Sequence, residues 1–157
     1  MLNARALVLV VLIALTTVSV LSSSIAQASD LLIEKPWARA SIGISRPAAV
    51  YLTIQNNGVE TDVLTMVKTP VAEMSEVHKS EVKDGIARMS PAGQVEIAAG
   101  SSINLEPGGL HIMLMKLKQP VKKGDSISMT LFFENAGPIG VVVPVYGIGA
   151  SGPNSTD

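Results

Sequence analysis

The sequence predicts an all-β fold, an antiparallel sandwich or barrel built as one domain. From Leu31 to Tyr146, short apolar or alternating runs follow one another, and residues with turn chemistry separate them. No segment after residue 28 sustains a helical period for three turns. At 157 residues and 47% hydrophobic content the chain is long enough for one real core and short for two.

The first element reads as an address. Arg5 supplies a positive start, Ala6 to Leu21 is an almost unbroken apolar run, and Ala26-Gln27-Ala28 has the small-residue pattern of a cleavage site. The expectation is a secretory signal peptide over residues 1–28, cleaved after Ala28, and a periplasmic mature protein. An uncleaved anchor is the alternative, but the run is short for spanning a bilayer.

The domain proper is expected over residues 29–146. Candidate strands are Leu31 to Ala38, Ala48 to Gln55, Val63 to Lys68, Met74 to Ser80 and Ile86 to Ser90, followed by Gln94 to Ile97, Ser102 to Leu105, Leu110 to Leu117, Ser126 to Glu134 and Ile139 to Tyr146. Between them stand Asn56-Asn57-Gly58, Asp84-Gly85, Pro91-Ala92-Gly93, Ala99-Gly100, Pro107-Gly108-Gly109, Lys123-Gly124-Asp125 and Asn135-Ala136-Gly137-Pro138. Residues 147–157, rich in Gly, Ser, Asn and Pro, are expected to form a flexible tail.

Two strands carry chemistry. Alternation over Leu110 to Leu117 puts His111, Met113 and Met115 on one face, Ile112 and Leu114 on the other. If Asp84 and Gly85 form a two-residue hairpin loop, Lys83 faces Ile86, Ser80 faces Met89 and His78 faces Pro91. His78 and Met89 are then diagonal neighbours, and a three-residue loop would instead separate them onto opposite faces. Imidazole and thioether both suit a soft metal ion, whereas carboxylates and carbonyls suit harder ones.

Composition removes other classes. A net charge of -1 and 3% aromatic residues offer neither a phosphate-binding footprint nor a base-stacking platform, so nucleic acid is not an expected partner. The chain has no cysteine, which excludes blue-copper and thiolate-zinc sites and thiol redox chemistry. There is no G-x-S-x-G elbow, H-E-x-x-H or phosphate loop, so no enzyme is expected.

His78, Met89, His111 and Met113 stand at the spacing H-x10-M-x21-H-x-M. This resembles the signature of the periplasmic copper chaperones of the PCuAC family. The resemblance extends to Lys35-Pro36-Trp37-Ala38-Arg39-Ala40, to Ala49-Val50-Tyr51-Leu52-Thr53-Ile54 with Asn57-Gly58, and to Glu106 through Met115. With Gly124-Asp125, Thr130-Leu131-Phe132-Phe133 and Gly137 it covers roughly Ile33 to Val145. It implies a Greek-key, cupredoxin-like fold that binds one Cu(I) per chain at those four residues. It also implies delivery of the ion to a copper acceptor, such as a cytochrome c oxidase subunit or its thioredoxin-like assembly factor, by a monomer that meets the membrane only through that acceptor. Relatives with a His- and Met-rich tail bind a second copper, but residues 147–157 have neither residue type.

Other residues have plainer readings. Met66, Met74 and Met129 are expected to pack, with Met74 sharing the strand face of His78. Met115 is expected to pack or to flank the site, Trp37 to anchor the core or its rim, and Glu76 and Glu81 to be solvated, although a carboxylate near His78 could orient its ring. Two further function classes stand beside the carrier: copper buffering or tolerance, and a non-metal envelope β-sandwich that binds some other partner. The spacing of the chain's two histidines favours the carrier.

Overall fold

The computed structural model describes residues 30–153, so the signal-peptide reading and residues 154–157 lie outside the described residues. The strands are β1 (Leu31–Arg39), β2 (Ala48–Asn56), β3 (Asp62–Lys68), β4 (Ala72–Lys83), β5 (Ile86–Pro91), β6 (Val95–Ile97), β7 (Ser102–Leu105), β8 (Leu110–Leu117), β9 (Ser126–Phe133) and β10 (Gly137–Tyr146). Each expected strand is present, with ends shifted by up to three residues. The largest extension is β4, whose ladder with β5 runs down to the Asp84-Gly85 turn.

The strands join in the order β5-β4-β8-β7-β2-β1-β10-β9-β3-β6, with β8 also pairing β2. β10 links the two layers of the sandwich. Its first part pairs antiparallel with β9, while Val145 and Tyr146 pair parallel with Ala38 and Arg39 of β1. The only other parallel contact among the described residues is the single pair Leu105–Leu110 between β7 and β8, and every remaining pairing is antiparallel, as expected. Val50, Ile54, Ile112 and Leu114 from one layer meet Leu64, Ile97, Leu131 and Val143 from the other, all fully buried. With no disulfide, this apolar burial is the main force holding the layers together.

Two breaks in alternation decide what lies on the outer face of the β1-β2-β8-β4-β5 layer. In β1 the pairing with β2 shifts between Glu34 and Trp37, where Lys35 takes φ 48° before Pro36. The extra residue reverses the parity of the strand. Leu31 faces the core before it, whereas after it Ala38 does so and Trp37 turns outward beside Tyr51. In β8, Lys116 takes φ 51°, and beyond it Leu117 and its partner Ala72 return to the core. The outer-face row on β4 and β8 therefore ends at the Met74–Met115 pair.

One residue of the expected tail packs on the domain. Ala150 is fully buried against Trp37 and Tyr51, and its carbonyl accepts a 2.7 Å hydrogen bond from Arg39 Nε. Of the methionines assigned to packing, Met129 is buried, but Met66 and Met74 are 42% and 38% exposed.

Leu114 backs the outer-face residues of β8 from the core side. Leu114→Ala should lower the unfolding free energy by about 2–5 kcal/mol in urea titration, through lost transfer energy and the cavity left behind.

Candidate metal centre

The Asp84-Gly85 turn has φ 54° and 75°, the left-handed pair that a two-residue hairpin loop requires. Asp tolerates this conformation and Gly enters it without a Cβ penalty. The register that follows is the one expected from the sequence: Lys83 opposite Ile86, Ser80 opposite Met89, His78 opposite Pro91. On its other side β4 pairs with β8, and His78 lies directly opposite His111, Glu76 opposite Met113 and Met74 opposite Met115. Directly opposed residues share a face, so all four expected ligands stand on the outer face of the layer. Met89 occupies the diagonal position beside His78.

The imidazole centroids of His78 and His111 are 6.2 Å apart, and both residues are buried, at 9% and 4% exposure. Met113 is half-buried and Met89 is 55% exposed on the edge strand β5. The set thus has a sheltered imidazole floor and an open thioether side.

Hydrogen bonding distinguishes the ring nitrogens. His111 Nδ1 lies 3.1 Å from the Gly109 carbonyl, a contact that is a hydrogen bond only when Nδ1 carries the proton. That tautomer leaves the Nε2 lone pair free to bind. His78 Nε2 is buried and has no hydrogen-bond partner among the described residues. Glu76 Oε2 approaches it to 3.5 Å without making one. A buried polar atom left unpaired costs about 1–3 kcal/mol, and a cation bound there would remove that cost. Among the described residues no three His, Cys, Asp or Glu side chains come together as ligands. The further donors on this face are the methionine sulfurs and the Glu76 carboxylate.

An aromatic row continues from the imidazoles. Tyr51 sits 6.3 Å from His111, and Trp37 stacks on Tyr51 at 4.4 Å. Arg39 lies over both rings, at 5.9 Å from Trp37 and 5.6 Å from Tyr51. The row packs the far side of His111 and limits the ring's freedom. Sequence reading missed this support. Tyr51 shares parity with Ala49, the partner of Met113, but the β1 bulge conceals that Trp37 reaches the same face.

The profile of the LpqE-like family, described as "Putative lipoprotein LpqE-like", matches residues 31–145. The chain belongs to the LpqE-like family. It is 35% identical over 120 residues to "Putative lipoprotein Lxx21020" of Leifsonia xyli subsp. xyli, covering 76% of this chain and 71% of that protein. Among solved structures, the apo PCuAC domain from PmoF1 superposes with a TM-score of 0.64 at 28% identity, covering 76% of this chain and 95% of the other. The Cu(I) form of DR1885 from Deinococcus radiodurans superposes with a TM-score of 0.54 at 26% identity, covering 76% and 81%. The chain is therefore similar to PCuAC domains in structure, and its all-β fold is that of their cupredoxin-like sandwich.

Burial raises the Tyr51 phenol above its ordinary 10.0, with the Arg39 guanidinium opposing the shift. A folded-state value above the unfolded one contributes stability that is fully present below about pH 10 and is lost as pH rises through the folded value. Absorbance titration at 295 nm should show a tyrosine ionising above pH 10 that disappears in Tyr51→Phe. The same variant should lose less stability in alkali than the parent.

Proposed function

We propose that this protein is an exported Cu(I) carrier that holds one ion between His78, Met89, His111 and Met113 and gives it up by ligand exchange. The observation that carries the reading is the buried Nε2 of His78, which makes no hydrogen bond among the described residues, on a residue directly opposite His111 with Met113 and Met89 on the same face. Two imidazoles and two thioethers form a soft, neutral donor set, which suits a monovalent soft ion and leaves no thiolate to hold it too firmly. The Cu(I) form of DR1885 and the PCuAC identity of the structural relatives support the choice of copper.

The chain's own residues supply a route for release. Met89, on an edge strand and exposed, is the ligand an acceptor can displace first, while the imidazoles stay fixed by the sheet. The recipient in this reading is a copper centre of cytochrome c oxidase or a thioredoxin-like assembly factor, and no chemical reaction is assigned to the protein. Export accords with the apolar amino terminus and the lipoprotein descriptions of its relatives. The proposed location is the periplasm.

Competition with a chromophoric Cu(I) chelator under anaerobic conditions tests the reading. One tightly held equivalent should be retained against the chelator, which strips any weaker site. Met113→Leu, close in volume but lacking sulfur, should weaken binding by about tenfold or more with little change in stability. His78→Ala and His111→Ala should weaken it further, and Met66→Leu should leave it unchanged. Equal loss in all four variants would mean general destabilisation and would contradict the site. Against copper buffering, loss of the protein should lower oxidase activity at low copper rather than sensitise cells at high copper.

A further inference from the structure

The outer-face row on β4 and β8 does not stop at Met113. One pair further along, Met74 stands directly opposite Met115, and beyond it the left-handed Lys116 turns the next pair into the core. Met74 is 38% exposed and Met115 half-buried, although both strands offer a sealed apolar face immediately behind them at Val77, Ile112 and Leu114. Core packing therefore does not explain either thioether.

We propose that Met74, Met113 and Met115 form a second, all-thioether site for a soft monovalent ion, sharing Met113 with the histidine site. The proposal rests on the carrier reading above, because Met113 belongs to both. Opposed residues on an antiparallel pair have Cβ atoms about 4.5–5.5 Å apart, and Met113 and Met115 are separated by about 6.5–7 Å along β8. Unbranched methionine arms with three rotatable bonds can bring sulfur atoms together over such spans. Three neutral sulfurs match a soft ion and offer little to hard divalent ions. The half-exposed Glu76 carboxylate, opposite Met113 and between the two sites, adds a negative charge that favours a cation at either.

An ion at the three thioethers reaches the histidine site without leaving the protein. It keeps Met113 while it exchanges Met74 and Met115 for His111, His78 and Met89. Ligand exchange of this kind moves no electrons and needs no proton from a thioether. The pair Met74–Met115 thus serves as an entry position, and the imidazole site as the holding position.

Methionine methyl NMR tests this with Ag(I), a soft monovalent probe that does not change oxidation state under these conditions. The protein is labelled at the methionine methyl carbons, and Met→Leu variants assign the signals. The first equivalent should move the Met89 and Met113 methyls. The second should move those of Met74 and Met115 and shift Met113 again, and Met74→Leu combined with Met115→Leu should reduce the stoichiometry from two ions to one. In His78→Ala combined with His111→Ala, an ion should still move Met74, Met113 and Met115. Shifts at Met89 and Met113 with Met74 and Met115 unmoved at two equivalents would overturn the second site and leave the carrier reading standing. Unmoved Met89 and Met113 signals would overturn both.

Discussion

The pairing of β4 with β8 is the constraint on which the rest of this molecule depends. A strand has two faces, and a slip of one residue exchanges them. In the observed register Val77, Ile112 and Leu114 enter the core while His78, His111 and Met113 face outward. The apolar burial that stabilises the fold therefore also fixes the donors, and no separate interaction is needed to aim them. The Asp84-Gly85 turn carries that parity into β5 and brings Met89 alongside His78.

Support for the imidazoles comes from both directions. The Gly109 carbonyl favours the His111 tautomer protonated at Nδ1, and the Tyr51–Trp37 stack, held by Arg39 and lined by Ala150, packs against that ring. His78 lacks an equivalent partner for Nε2, so the protein alone leaves one strong hydrogen-bonding atom unsatisfied in a buried place. Buried polar groups are usually paired, and departures from that rule concentrate where a ligand completes the set. The contrast between buried imidazoles and an exposed edge-strand methionine suits the proposed carrier role, in which one ion is both held and yielded.

Much of this was legible in the sequence because it is local. Ten alternating runs gave the strands, and an Asp-Gly turn gave the β4–β5 register, since two left-handed residues leave one choice of hairpin. The direct opposition of His78 and His111 was not legible, because it is a pairing between strands separated by β5, β6 and β7. Nor could alternation show Trp37 on the outer face, because one extra residue at Lys35-Pro36 reverses parity within a single strand. Composition could not show that Ala150 packs against Trp37, because residues 147–153 lack apolar periodicity. Met66 and Met74 were not legible either, since a methionine on a strand is usually filler and these two are about two-fifths exposed.

In the proposed site two imidazoles and two thioethers share one Cu(I). X-ray absorption at the copper edge of protein loaded with one equivalent reads the bonded atoms directly. A shell containing both sulfur and nitrogen is expected, with the sulfur contribution halved in Met89→Leu and in Met113→Leu. A shell of nitrogen and oxygen alone, unchanged by either substitution, would show that the methionines do not bind the ion and would contradict the proposed site.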